Sequence, residues 1–309
     1  MFKSLRLTLA LLLSALALPL IVASGASAVS AVAAPSCIVS LSPTATETLF
    51  AIGAGKQVQA VDTDSDYPTT GLPKKRINAL SPSVEAVVGI CKTSAAHPSA
   101  KPDLVIISYD ANEIQQKLKA VGVKVIDQDP PTNVAGALAQ IEQLGTLTGH
   151  VKSAKALAES ISTTITSDIA SVAKHPGKKL TAYYELSIKP YYSLTSSTFV
   201  GVLLKALGVV NIADPENTSA DAGYPELSGE YIVNANPKLI FLADTISGGQ
   251  SASTVAKRPG WSKIAAVQDH EVIGLNDDIA SRWGPRLSVL MNQLTAAVKG
   301  ALKNPKLWK

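Results

Sequence analysis

The fold is decided between residues 38 and 55, which read IVSLSPTATETLFAIGAG. The first four residues form an apolar run rich in β-branched side chains, and such a short run predicts a buried strand. Ser42 and Pro43 follow at once as an N-cap and a proline at the first helical position, and Gly53 and Gly55 end the helix. A strand that leads directly into a helix is half of a βαβ unit, so the stretch predicts a parallel sheet.

The same alternation continues along the chain in two series. In the first, apolar runs predict strands over 38–41, 58–61, 104–107 and 123–126, and Ser81-Pro82 predicts the start of a second helix. In the second, strands are predicted over 180–184, 239–242 and 272–273, and helices over 198–207, 228–235 and 285–302. Between the two series, residues 133–173 contain no proline and no aromatic residue; Gly149 ends one helix there and Val151 begins another.

These series predict an α/β protein of two lobes, each with a mainly parallel sheet, joined by a long helix. We place the first lobe at 35–132, the helical segment with the inter-lobe helix at 133–174, and the second lobe at 175–309. A helix that spans both lobes predicts limited closure of the cleft between them.

The N-terminal residues 1–34 have the order of a cleavable secretory signal. Lys3 and Arg6 precede an apolar run, and small residues such as Val32-Ala33-Ala34 offer a cleavage site. The full chain of 309 residues has a net charge of +4, and these two cations account for half of it. The remaining chain has no basic cluster longer than Lys74-Lys75-Arg76, which argues against a nucleic-acid partner. We expect an exported protein, periplasmic or otherwise extracytoplasmic.

The chain has two cysteines, Cys37 and Cys91. Cys37 could carry a lipid or form a disulfide. Lipid attachment at Cys37 is the weaker hypothesis, because the usual leucine before the small pair is absent and Pro35 intervenes. A disulfide between Cys37 and Cys91 is favoured, because export supplies an oxidising compartment and both cysteines lie near predicted strand starts. Two unrelated buried thiols are the remaining alternative.

Aromatic residues are scarce, at 5% of the chain, yet many of them fall after predicted strands. Ligands bind beyond the carboxyl ends of the strands of an open parallel sheet, and this edge carries Tyr67, Tyr109, Tyr191, Tyr192, Tyr224 and Trp283. Binding sites are largely apolar concavities with a few polar groups, so the shared edge predicts a cleft for a small molecule.

Motifs for catalysis are absent from the sequence. It contains no phosphate loop, no G-x-S-x-G elbow and no H-E-x-x-H, and its four histidines are far apart. We therefore expect no metal site, no cofactor and no enzymatic activity. Two alternatives stay open: a secreted hydrolase with an inconspicuous serine nucleophile, and direct capture of a metal ion.

Four motifs together resemble those of the periplasmic substrate-binding proteins of vitamin B12 and iron-siderophore ABC importers. They are the opening stretch over 38–55, Asp66-Tyr67-Pro68, Lys101-Pro102-Asp103 and Pro285-Arg286. The resemblance covers residues 37–303. It implies two Rossmann-like lobes bridged by a long helix, a ligand held in the cleft, and delivery to a membrane permease driven by an ATPase. It also implies a monomer without catalytic activity.

By the same resemblance, Tyr67, Tyr109 and Tyr224 correspond to aromatic residues that contact the corrin, and Asp278 corresponds to an acid that hydrogen-bonds it. Tyr192, Arg282 and Trp283 complete the expected ligand site. The family position that is often tryptophan in cobalamin binders is Ala79 or Leu80 here, and residues 89–100, which include Cys91, look inserted.

Glu85 and Glu230 follow two predicted helix starts, one in each lobe. A carboxylate in the first turn of a helix stabilises it, by about 0.3 to 1 kcal/mol. The resemblance adds a second role, because glutamates at these places pair with permease arginines.

Charge along the predicted cleft edge distinguishes among the ligands of this family. The edge offers Arg282 and Lys189 as cations, but it also carries seven acids, Asp62, Asp64, Asp66, Asp110, Asp221, Asp277 and Asp278. Burying a polyanionic triscatecholate complex beside these acids would be costly. A corrinoid, large and flat with amide arms, is therefore the first expectation, a neutral or cationic hydroxamate siderophore the second, and haem the third.

Overall fold

The computed structural model of the chain describes residues 33–94, 97–172 and 179–308. Almost all of the predicted signal segment lies outside these ranges. The described residues from Ala34 onward form one compact unit. No helix in the described ranges is both long and apolar enough to cross a membrane.

The first lobe is a five-stranded, entirely parallel sheet with the order β3-β2-β1-β4-β5. Its elements are β1 (Ile38–Leu41), α1 (Pro43–Ala51), β2 (Val58–Asp62), β3 (Arg76–Ile77), α2 (Val84–Val88), β4 (Leu104–Ile107), α3 (Ile114–Ala120) and β5 (Val125–Asp127). The predicted start of α1 is confirmed, because the Ser42 hydroxyl accepts a hydrogen bond from the Ala45 amide at 3.3 Å. The predicted start of α2 is wrong by two residues: Ser83 rather than Ser81 caps it, through the Ala86 amide.

Two long helices follow, α4 (Val134–Thr148) and α5 (Val151–Ser171). Gly149 ends α4 in the left-handed conformation, with φ of 80°, as the sequence predicts. The buried residues of α5 are Ala154, Ala158, Ile161 and Ile165, which lie on one face because they recur at intervals of three and four. The two helices cross closely: a Cβ added at Gly145 would lie 2.2 Å from the Ala154 methyl carbon.

The second lobe contains a four-stranded parallel sheet, order β11-β10-β6-β8, and a small antiparallel pair, β7-β9. Its elements are β6 (Leu180–Glu185), β7 (Tyr191–Tyr192), α6 (Phe199–Ala206), β8 (Val209–Asn211), β9 (Glu226–Leu227), α7 (Gly229–Ala235), β10 (Leu239–Leu242), α8 (Ala252–Ala256), α9 (Ala265–Gln268), β11 (Val272–Gly274), α10 (Asp277–Ser281) and α11 (Leu287–Lys303). The predicted α/β architecture is confirmed, although β3, β7, β8 and β9 were not predicted.

One apolar core connects the lobes. It includes Ile38 and Leu104 from the first sheet, Ile161 from α5, and Phe241 and Val298 from the second lobe. The outer faces of the two sheets have separate, smaller cores. Because α5 lies within the shared core, changing the angle between the lobes would disturb packed side chains. Limited closure stays a prediction.

The predicted disulfide between Cys37 and Cys91 is present in the structure, with the two Cα atoms 6.0 Å apart. The Asp103 carboxylate accepts hydrogen bonds from the Ser36 amide at 2.8 Å and the Cys37 amide at 3.0 Å, and so fixes the chain as it enters β1. The Nε2 atom of His97 lies 3.1 Å from the other carboxylate oxygen of Asp103. In this bridged form the Cys37 sulfur is not free to carry a lipid.

Candidate ligand-binding cleft

A cavity of about 470 Å³ lies where the carboxyl edges of the two sheets meet. Pro130 and Pro131, which follow β5, line it from the first lobe, and Leu194 and Phe199 line it from the second. Three predicted ligand residues also line it, Tyr224, Arg282 and Trp283. The walls are mainly apolar and the polar groups are few, as in pockets that bind small molecules.

Four tyrosines predicted to contact the ligand have exposed rings. Tyr67, Tyr109, Tyr192 and Tyr224 are between 41% and 67% exposed, so part of each ring is open to a ligand. Tyr224 borders the cavity, while the other three lie on loops or short strands after the carboxyl ends of β2, β4 and β6. Tyr191, by contrast, packs against the buried ring of Trp261 with ring centres 5.4 Å apart.

Trp283 connects the cavity wall to the helical segment. Its indole N–H donates a hydrogen bond of 2.7 Å to the side-chain oxygen of Gln140 in α4. This contact holds the indole in place, and Trp283 also lines the cavity. Gln140 was not identified from the sequence, because nothing in a helical pattern marks one glutamine as the partner of a distant tryptophan.

Arg282 lies at the centre of an ion network between the lobes. Its Nη1 donates to Glu47 at 2.8 Å and to Asp66 at 2.6 Å, and its Nη2 donates to Asp278 at 2.6 Å and to the backbone oxygen of Asp64 at 2.9 Å. Glu47, Asp64 and Asp66 belong to the first lobe, whereas Asp278 belongs to the second. The guanidinium is therefore held on both sides of the cleft.

Glu47 is the buried end of this network. Its side chain is 1% exposed, and besides Arg282 it accepts two hydrogen bonds from Arg286, at 2.8 and 2.6 Å. The Arg286 guanidinium in turn lies 4.5 Å from the ring centre of Tyr67, a cation–π distance. Both Glu47 and Arg286 belong to the motifs that carry the resemblance, but no pattern in the sequence indicates that they form a pair.

The carboxylates of Asp66 and Asp278 both bond Arg282, but they differ in proton affinity. Burial acts to raise the pKa of Asp66, but the hydrogen bond and charge of Arg282 outweigh it and hold this pKa below its ordinary value. Burial raises the pKa of Asp278 despite Arg282, and the neighbouring carboxylate of Asp66 adds to the rise. Asp66 is consequently the stronger acid, while Asp278 takes up a proton more readily.

Several acids counted along the cleft edge stabilise loops. Asp277 accepts hydrogen bonds from the amides of Ile246 at 3.0 Å and Ser247 at 2.7 Å. Asp221 accepts from the amide of Thr218, and Asp110 from that of Gln115. Asp62 is buried beside the Ser65 hydroxyl. Of the other three, Asp66 and Asp278 bond Arg282 through their carboxylates, and Asp64 bonds it through its backbone oxygen.

A second buried charge cluster lies inside the second lobe. Glu185 is fully buried and forms a two-pronged ion pair with Arg258, at 2.5 and 2.7 Å, and Arg258 lies over the ring of Trp261. Asp244, next to this pair, is 2% exposed, and neither carboxylate oxygen has a hydrogen-bond partner among the described residues. Burial, followed by the charge of Glu185, raises the pKa of Asp244 to about 7.

Glu85 and Glu230 are exposed, each in the first turn of its helix, α2 or α7. The structure thus places one free carboxylate on the surface of each lobe, as the docking prediction requires, and the role itself stays a prediction.

The described part of the chain offers no support for the two alternative classes. It contains no group of three or more His, Cys, Asp or Glu side chains that could hold a metal ion. None of the described residues that line the cavity is a histidine, so the hydrolase hypothesis lacks a general base there.

Two parallel α/β lobes on shared helices, with a mainly apolar cavity where their sheet edges meet, have the architecture of a protein that binds a small molecule. Residues 38–279 match the Periplasmic binding protein family, and the chain belongs to it. Members of this family are transport proteins rather than enzymes, and the substrate-binding proteins of ABC importers work with a permease and an ATPase.

Related sequences and structures agree with this assignment. An uncharacterized ABC transporter substrate-binding lipoprotein of Bacillus subtilis is 31% identical over 273 residues, 85% of this chain and 80% of that protein. A vitamin B12-binding protein of Vibrio cholerae is 27% identical over 271 residues, 86% of this chain and 90% of the relative. The crystal structure of a possible iron-binding periplasmic protein from Staphylococcus epidermidis is 27% identical, with a TM-score of 0.70, and the match covers 87% of this chain and 99% of that one.

Proposed function

We propose that this protein captures a corrinoid between its lobes and delivers it to the permease of an ABC importer. The observation that carries the proposal is the pairing of an apolar cavity of about 470 Å³ with exposed tyrosine faces and two cleft carboxylates. A corrin ring offers a broad face for stacking against aromatic rings, and its amide arms offer N–H donors for carboxylate oxygens.

The charge of the cleft supports a ligand without acidic groups. The cation nearest the cavity is Arg282, and Asp66, Asp278 and Glu47 already surround it. An anionic ligand would have to displace these carboxylates or lie unpaired beside them, and both are costly. The vitamin B12-binding relative from V. cholerae adds support to the corrinoid assignment.

Haem is a weaker candidate because its iron needs an axial ligand such as His, Cys, Met or Tyr. Among the described residues that line the cavity, Tyr224 is the single side chain of those types. Burial raises the pKa of its phenol, which disfavours the phenolate that would bind iron.

The test is a calorimetric titration with cyanocobalamin, with ferric hydroxamate and haem as parallel samples. We expect saturable binding of cyanocobalamin, and about a 2- to 13-fold loss of affinity for Tyr224→Ala or Trp283→Ala if each ring contributes about 0.5 to 1.5 kcal/mol. Tyr231→Ala, on α7 and outside the cavity lining, is the matched control and should bind as the wild type does. Failure to bind cyanocobalamin at micromolar concentration, with binding of another sample, would overturn the assignment.

Delivery to the permease is assigned to Glu85 and Glu230. The double substitution of both residues with alanine should abolish uptake of the ligand by cells while leaving its affinity unchanged, because both carboxylates are exposed and neither lines the cavity. Glu142→Ala with Glu216→Ala, two other exposed carboxylates, is the control and should keep normal uptake. Equal loss of binding and uptake in the first double variant would contradict a docking role.

A further inference from the structure

The segment that begins α11 packs directly against the helix that begins the first lobe. A Cβ added at Gly284 would meet the Thr44 side chain and backbone oxygen at 3.3 Å, so glycine permits this close approach. On either side of Gly284, Arg282 and Arg286 both reach Glu47 in α1. The contact between the lobes at this point is thus built from backbone packing and three charged side chains.

We infer that Arg282 is a positioning residue that fixes the spacing of the two lobes at the mouth of the cleft, with Glu47 as its buried anchor. Its two Nη atoms hold Glu47 and Asp66 from the first lobe and Asp278 from the second, at 2.6 to 2.8 Å. A planar guanidinium bonds several carboxylates in fixed directions, whereas the ammonium group of lysine is a compact charge with three rotatable donors and does not fix their directions.

The same network sets the positions of groups that face the cleft. The Asp66 side chain is 59% exposed although it is bonded to Arg282, and Asp278 is partly exposed on the opposite lobe. Tyr67, next to Asp66 in the chain, lies under Arg286. A change in the network would therefore alter the distance between candidate ligand contacts on opposite lobes, in addition to any loss of stability.

Arg258 provides an internal comparison. It is also buried and also forms a forked ion pair with a buried glutamate, but Arg258 and Glu185 both belong to the second lobe. Replacing Arg258 with lysine should lower the unfolding free energy, because it also breaks a forked ion pair with a buried glutamate. It should not change the distance between the lobes. The pair Arg282→Lys and Arg258→Lys thus separates a positioning role from a merely structural one.

The test measures the distance between the lobes in the full mature chain. Spin labels on Lys124→Cys in the first lobe and Ser253→Cys in the second, both exposed, report it by pulsed electron resonance. We expect a narrow distance distribution in the otherwise wild-type protein, a broadened one for Arg282→Lys, and an unchanged one for Arg258→Lys. Equal distributions for both lysine variants, broadened or not, would overturn the inference.

If Arg282→Lys does not fold, Asp66→Asn is the second variant. It removes one exposed carboxylate of the first lobe, leaves Glu47 in place, and should broaden the distribution to a smaller extent. An unchanged distribution for this variant would then contradict the inference.

A second measurement is the affinity for cyanocobalamin, and this part rests on the proposed function. When only a fraction of the molecules has the correct lobe spacing, the apparent Kd rises by the reciprocal of that fraction. A competent fraction of about one tenth would weaken binding about tenfold for Arg282→Lys, with little change for Arg258→Lys. If the wild type binds no cyanocobalamin, the proposed ligand is wrong, while the distance measurement still decides the role of Arg282.

Discussion

Replacing Asp244 with asparagine should make the protein more stable at alkaline pH and remove part of its pH dependence. The Asp244 carboxyl group is buried next to Glu185, and neither of its oxygens has a hydrogen-bond partner among the described residues. Burial first, and then the negative charge of Glu185, raise its pKa to about 7, against the opposing charge of Arg258. An amide has a similar shape and stays neutral at every pH of interest.

The size of the effect follows from the change in proton affinity. A pKa that rises from 3.8 to about 7 on folding corresponds to about 4 kcal/mol, at about 1.4 kcal/mol for each tenfold change. The Gly248 and Gln250 amides bond the Asp244 backbone oxygen, and this loop is itself exposed over residues 246–249, so the full figure is an upper bound. We take about 2 kcal/mol as the expected value.

The direction of the pH dependence follows from proton binding. Between pH 4 and pH 7 the folded protein keeps a proton on Asp244 that the unfolded chain has released, so stability falls as the pH rises through this range. Asp244→Asn binds no proton in either state and lacks this contribution. The difference in unfolding free energy between the variant and the wild type should therefore grow by about 2 kcal/mol from pH 4 to pH 8.

Urea unfolding at pH 4, 5, 6, 7 and 8, analysed by linear extrapolation, measures this difference. Glu142→Gln, an exposed carboxyl on α4, is the control and should give a curve parallel to that of the wild type. If the curve for Asp244→Asn is also parallel to the wild type, Asp244 is not protonated in the folded protein and the reasoning fails.

Two further predictions concern stability. The disulfide between Cys37 and Cys91 closes a loop with a sequence separation of 54, so replacing both cysteines with serine should lower the unfolding free energy by about 4 kcal/mol. Reduction of the wild-type protein should have the same effect. Urea unfolding that shows no loss of stability in either case would contradict the prediction. Glu47→Ala should lower the unfolding free energy by about 3 to 5 kcal/mol, because it leaves Arg282 and Arg286 without their buried partner. Glu47→Gln should lower it by less. Calorimetric melting that shows a loss below about 1 kcal/mol for the alanine variant would contradict a buried ion network.

The regular elements were predictable where the sequence carries a strong local pattern. The strands Ile38–Leu41, Leu104–Ile107 and Leu239–Leu242 have the predicted bounds, because a short run of buried and mostly apolar residues can be recognised without knowledge of its neighbours. The strand Arg76–Ile77 was missed, because a two-residue strand with one exposed arginine has no periodicity. Its place in the sheet comes from pairing with Val61 and Asp62.

The sequence alone predicted the two α/β series, the long helices between them and an edge rich in aromatic residues, and it favoured a disulfide between the two cysteines. The first three predictions depend on apolar runs, caps and the direction of parallel strands, which are local properties of the chain. Which charges meet depends on the tertiary structure. Arg282 and Glu47 are 235 positions apart in the chain, and most of the acids counted along the cleft edge bond to loops instead of facing the cavity. Such contacts arise from how sheets and lobes pack together, and the spacing of residues along the chain does not specify them.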